Sequence, residues 1–96
     1  MSAYVILQIT IDDPILYQEY VKMGPPTVSQ YGGKYLVRGG KMETVEGDWV
    51  PERIVVLEFE SMEKAKAWID SPEYAPARAI RHAAANTRAI IVDGVP

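Results

Sequence analysis

Arg38 closes the run "KYLVR" and Arg53 opens the run "RIVVLEF". A guanidinium makes paired, charge-assisted hydrogen bonds to a carboxylate, so the two suit a small anionic ligand if the segment between the runs brings them together. The alternative for each is a rim ion pair, for Arg38 with Glu43, Glu58 or Glu60, or a charge that blunts an edge strand; such exposed pairs are common and weak. Glu58 follows an apolar run and belongs on the strand face of Ile54 and Val56. A carboxylate there either finds a cationic partner or has its pKa raised by desolvation, and the second state would make it a general base. Gln8, on the equivalent face of the first strand, reads as a hydrogen-bond partner at an interface.

His82 is the one imidazole, so any proton shuttle or histidine ligand must use it. Around it Arg78, Arg81 and Arg88 form a basic stretch, either a solvated helix face or the wall of a cleft for an acidic ligand. Tyr17, Tyr20, Tyr31, Tyr35 and Tyr74, with Trp49 and Trp68, supply aromatic surface for a core or for a flat pocket between helix and sheet. A tyrosine hydroxyl beside His82 would suit proton transfer on a phenolic or enolisable substrate. Trp49 and Tyr74, flanked by turn residues, are placed at a pocket rim. The candidate catalytic groups are therefore Glu58, His82 and Tyr74, and the candidate ligand contacts are Arg38, Arg53, Trp49 and Tyr35. With no cysteine and no His or carboxylate cluster at ligand spacing, no metal is expected. Gly32-Gly33 and Gly39-Gly40 lack the spacing and strand-to-helix context of a phosphate loop, and no cofactor is expected.

The elements that must position these residues follow from periodicity. In "AYVILQITI" the odd positions Val5, Leu7, Ile9 and Ile11 are apolar and the even ones mixed, a strand pattern. Asp13 and Pro14 start a helix as N-cap and first helical residue. It is expected to run to about Met23, break at Gly24-Pro25-Pro26, and resume from Pro26 to Tyr31. Gly32-Gly33 stops it, and a second strand begins at Lys34. "KMETVEGDWVPER" reads as a hairpin turning at Glu46-Gly47-Asp48, leading into "RIVVLEF". Ser61 caps a helix whose apolar stripe is Met62, Ala65, Trp68 and Ile69; Pro76 begins a further helical segment to about Ala85, and Thr87 to Asp93 forms the last strand.

Ninety-six residues suit one domain, 1–96, and a chain this short buries roughly 60–65% of its unfolded surface, so further burial by self-association is expected. The net charge of -3 offers no electrostatic reason to bind nucleic acid. No span or signal pattern is seen near the start, so no membrane partner is expected and the cytoplasm is the default location.

The order β-α-β-β-α-β suits an α+β fold of the ferredoxin-like, split β-α-β kind: a four-stranded antiparallel sheet in the order 4-1-3-2 with its helices on one face. The odd positions of the first strand with Val55, Leu57 and Phe59 should meet the helices. On the other face Tyr4, Ile6, Ile54 and Val56, with Ile90/Val92 or Ala89/Ile91, leave an apolar surface with no helix to cover it, and the expectation is a homodimer packed sheet against sheet.

The segments "YGGKYLVRGG", "EGDWVPERIVVLEF", "AKAWIDSPEY" and "IIVDG", in that order, resemble the small bacterial family called domain of unknown function 1330, of the dimeric α+β barrel superfamily. The resemblance spans nearly the whole chain, with consecutive prolines at Pro25-Pro26 as a departure. It implies a ferredoxin-like homodimer and leaves the chemistry open, because superfamily relatives range over cofactor-free oxygenases, lactone isomerases and haem enzymes. Two functions are expected: a cofactor-independent enzyme, of isomerase or oxygenase type, acting on a small anionic or aromatic metabolite, or a non-catalytic small-molecule-binding or structural dimer.

Overall fold

The period-two pattern of "AYVILQITI" becomes strand β1 (Ala3–Ile11) in the computed structural model, which describes residues 1–96. Ala3, Val5, Leu7 and Ile9 are buried, whereas Tyr4, Ile6 and Gln8 are half-buried. β1 pairs antiparallel with β3 (Arg53–Phe59) on one side and β4 (Ala85–Asp93) on the other, and β2 (Lys34–Arg38) pairs with β3. The resulting order β2-β3-β1-β4 is the expected 4-1-3-2 sheet. Because Val5 lies opposite Leu57 and Leu7 opposite Val55, their side chains share one face with Phe59. That face meets α1 (Pro14–Gln30), α2 (Met62–Ile69) and α3 (Ala75–Ala84), whose contributions to the core include Tyr17, Val28, Ala65, Trp68, Tyr74 and Ala77.

Asp13 caps α1 as expected, its Oδ1 accepting from the Leu16 N–H at 3.0 Å. The expected break at Gly24-Pro25-Pro26 is not there: α1 runs unbroken through both prolines. A proline removes one ladder donor and crowds the carbonyl four residues back, at a cost of about 3 kcal/mol in a helix interior. Here the carbonyls that lose a partner belong to Val21 and Lys22, both exposed and open to water. Beyond the prolines the helix is fastened from outside. The Thr27 hydroxyl donates to the Gly24 carbonyl at 2.7 Å and accepts from Trp68 Nε1 at 3.0 Å, while Val28 is buried. α1 then ends where Gly32 takes φ +75, a conformation that costs glycine nothing.

Two other boundaries differ from expectation. The turn at Glu46 to Asp48 forms, but β2 and β3 do not reach it, and residues 39–52 make a long loop in place of a tight hairpin. Pro51 has no N–H for a ladder, and positive φ at Gly39 and Gly47 turns the chain away from strand geometry. β4 starts at Ala85, two residues before Thr87. The reason lies at the end of α3, where the Ala84 carbonyl accepts from both Asp12 N–H (2.8 Å) and Asp13 N–H (2.9 Å), pinning it beside the end of β1.

On the sheet's other face, Ile6 lies opposite Ile90 and Tyr4 opposite Val92, which selects the Ile90/Val92 set as the outward one. Ile90 is 60% exposed and Val92 42%, so no part of this chain covers them. No helix is long and apolar enough to cross a membrane.

The Thr27–Trp68 bond should carry much of the continuity of α1. Thr27→Val keeps the shape but strands a buried indole N–H, and is expected to cost about 1–3 kcal/mol in equilibrium urea unfolding; a change below about 0.5 kcal/mol would show that the bond does not hold the helix.

Candidate functional site

At the β2–β3 end of the core face, a cleft opens between α1 and the sheet. Leu7 and Ile9 of β1, Val55 and Leu57 of β3, and Val21 and Pro25 of α1 make its apolar walls. Its polar side chains are Tyr17 and Tyr20 from α1, Tyr35 and Arg38 from β2, and Arg53 from β3. The cleft is open to solvent and holds about 380 Å³ of free space including its mouth, of which about 20 Å³ is free to the centre of a water molecule.

Arg38 reaches this cleft through a fault in the β2–β3 ladder. Lys34 lies opposite Glu58 and Tyr35 opposite Leu57, but then Val37 lies opposite Val56 and Arg38 opposite Val55, which leaves Leu36 unmatched. Side chains alternate along a strand, so a one-residue bulge sends every later side chain to the other face. Arg38 therefore shares the helix side with Tyr35, and its guanidinium lies over that ring, 4.7 Å from the centroid. Arg53, opposite Ile9, lies on the same face with its guanidinium 5.6 Å from the centre of the Tyr17 ring.

Neither arginine has a carboxylate. The ion pairs present are Lys34 with Glu58 (3.3 Å) and Arg78 with Asp70 (3.5 Å). Arg53 Nε is buried without any hydrogen-bond partner. A buried donor on a charged group left unpaired is costly, and no carboxylate lines the cleft to offset it, while Arg38 beside it is exposed. Cation–π contacts with Tyr17 and Tyr35 offset part of that cost.

The tyrosines are held neutral. Burial raises the pKa of Tyr17 against the opposing pull of Arg53, and burial raises that of Tyr35 against Arg38. Tyr20 is pushed far above the ordinary phenol range by burial and by the neighbouring Tyr74.

Of the residues singled out in the sequence, Arg38, Arg53 and Tyr35 come together here. Glu58 faces the opposite side of the sheet, bonded to Lys34 and accepting from the Tyr4 hydroxyl at 3.3 Å. The hydrogen bond from Lys34, then one from Ser2, holds its carboxyl below the usual range. It is thus the paired carboxylate, with a lysine in place of an arginine. Tyr74 is fully buried behind the cleft, packed against Trp68 with the ring centroids 4.2 Å apart and the planes tilted by 34°. His82 is exposed on α3, and what burial it has, with Arg81 and Arg78 beside it, lowers its pKa. No hydrogen bond joins Glu58, Tyr74 and His82 to one another.

Trp49 lies on the 39–52 loop, 62% exposed, donating from Nε1 to Gln8 Oε1 at 2.8 Å on the open sheet face. It lines a separate, wider groove with Val37, Met42 and Ile54. Tyr20 and Tyr17 were legible only as members of an aromatic set; their spacing of three along α1 is the signal that puts both on the sheet-facing side.

Gly39 backs the site. It has φ +68, and a side chain there would collide with the Arg53 guanidinium, whereas Gly40 faces open space. Gly39→Ala is expected to cost about 1–2 kcal/mol from the left-handed backbone alone and to displace Arg53, while Gly40→Ala stays within about 0.5 kcal/mol; urea unfolding of both variants checks this, and equal effects would contradict it. With folded tyrosine pKa values above the unfolded value of about 10, the folded state keeps protons that the unfolded state loses, so stability is full below that pH and falls above it. Alkaline titration followed by phenolate absorbance should show a late group of tyrosines that ionises only with unfolding; complete ionisation of the native protein at the ordinary pH would refute it.

The comparisons with known proteins agree on architecture. No curated protein matches the sequence. A protein of unknown function from Rhodopseudomonas palustris, RPA0582, is similar in structure with a TM-score of 0.77 at 19% identity, over 99% of this chain and 83% of that one. A dimeric ferredoxin-like protein of unknown function from Bacteroides fragilis superposes with a TM-score of 0.62 at 13% identity, over 97% of this chain and 95% of that one. SnoaB, a cofactor-independent oxygenase from Streptomyces nogalater, gives 0.59 at 9% identity, over 99% and 94%. At these identities the likeness concerns the fold alone. Residues 2–95 match the family described as a domain of unknown function (DUF1330), and the chain belongs to that family.

Proposed function

We propose that the 96 residues form one domain that associates as a homodimer and binds a small organic anion, with an aromatic or apolar body, in the cleft between α1 and the sheet. The observation that carries the binding is Arg53 Nε, buried and unpartnered beside a second arginine, in a cleft lined by no carboxylate. An anionic head would supply the missing acceptor with charge-assisted hydrogen bonds. Tyrosine rings and aliphatic walls suit an apolar body.

The homodimer rests on the uncovered sheet face, where Tyr4, Ile6, Val56, Ile90 and Val92 make a contiguous apolar surface. The Bacteroides fragilis protein of the same fold is described as dimeric. Two such faces packed together give the barrel-like pair.

A second reading adds turnover without a cofactor, of the isomerase or oxygenase kind; it draws on the shared fold with SnoaB, described as a cofactor-independent oxygenase. The cleft itself favours binding over turnover, because neither Glu58 nor His82 lines it and it holds no obvious base.

Benzoate and its neutral isostere benzamide test the binding. Benzoate should raise the melting temperature saturably and benzamide should not, with the benzoate effect lost in Arg38→Gln and Arg53→Gln; equal responses to both, or an unchanged response in both variants, would refute the reading. Sedimentation at micromolar concentration should give a dimer, and a stable monomer would refute the assembly.

A further inference from the structure

Behind the cleft lies a chain of hydrogen bonds that anion binding by the two arginines leaves unexplained. Arg81 is 4% exposed and forms no ion pair with a carboxylate. Its Nε donates to the Tyr74 hydroxyl at 3.3 Å, and that hydroxyl lies 2.6 Å from the hydroxyl of Tyr20. A guanidinium can donate but never accept. Tyr74 is fully buried, and the one acceptor available to its own hydrogen is the Tyr20 oxygen. Were Tyr20 the donor, the Tyr74 hydrogen would be sealed in the core with nothing to bond. The direction of the chain is therefore Arg81 to Tyr74 to Tyr20.

That direction leaves the Tyr20 hydrogen without an acceptor in the protein, and Tyr20 lines the cleft. Successive donation polarises the last hydroxyl and makes it a better donor. The polar side chains lining the cleft are then those of arginines and tyrosines, with no side-chain carboxylate, amide or imidazole among them. Tyr20 offers the ligand a single O–H, which suits one acceptor oxygen.

We propose that the cleft selects the one-oxygen anion of a weakly acidic aromatic or enolic ligand, a phenolate or enolate, over its neutral conjugate acid. Tyr20 donates to that oxygen, and Tyr74 and Arg81 are positioning residues that fix where the Tyr20 hydrogen goes. This rests on the anion-binding reading and goes further by naming the head group.

The test uses 4-nitrophenol, whose phenolate is distinguished from the phenol by its absorption spectrum and which titrates near neutrality. Bound to the 96-residue chain, its apparent pKa should fall by roughly one unit, a tenfold preference for the anion. Tyr20→Phe should abolish most of that shift. Tyr74→Phe should reduce it as well, by releasing the Tyr20 hydrogen, with native circular dichroism retained; if Tyr74→Phe does not fold, Tyr20→Phe decides. Loss of the shift in Tyr20→Phe but not in folded Tyr74→Phe would overturn the positioning role. An unshifted pKa for bound 4-nitrophenol, in a protein that still binds benzoate, overturns the head-group assignment and spares the binding reading. Failure to bind either probe overturns both.

Discussion

Between Tyr35 and Val37 the β2–β3 ladder loses step by one residue, and the placement of positive charge in this protein follows from that slip. In an unbroken strand Arg38 would share a face with Lys34, on the open side of the sheet. The unmatched Leu36 turns it to the helix side, where it stands diagonal to Arg53 and over the Tyr35 ring. Gly39 then bends away with positive φ while keeping its N–H on the Ile54 carbonyl at 2.9 Å, and its missing side chain leaves room for the Arg53 guanidinium. One local irregularity thus gathers two cations that a regular hairpin would have separated.

The rest of the core makes that arrangement rigid. α1 supplies Tyr17 and Tyr20, and it holds its line past Pro25 and Pro26 because Thr27 is tied to Trp68, which packs between Phe59 and Tyr74. Ser71 fixes the start of α3 by accepting from the Tyr74 N–H and donating to the Trp68 carbonyl. The same contacts that stabilise the fold therefore position Tyr74, and through it Tyr20, at the back of the cleft. Packing and the layout of the cleft are not separable here at the level of single aromatic residues.

Strand faces, sheet order and the uncovered apolar surface were legible in the sequence because each depends on a period of two and on topology rules that tolerate few alternatives. Arg38 and Arg53 were legible as residue types, but not their meeting, because the bulge falls at Leu36, where no glycine marks it. Continuity of α1 was illegible for a similar reason: two prolines argue locally for a break, and the Thr27–Trp68 bond that overrides them links residues far apart in the chain. The fold shared with proteins of unknown function and with an oxygenase adds nothing to the chemistry, since the fold hosts many sites and only the site decides.

The most direct measurement is of the arginine Nε–H signals in a nitrogen-15 correlation spectrum as benzoate is added. The Arg53 Nε resonance should move saturably and furthest, with Arg38 following at the same midpoint, because the anion would supply the acceptor Arg53 lacks. Movement confined to Arg78 and Arg88, which lie outside the cleft, or a drift with no saturation, would contradict it.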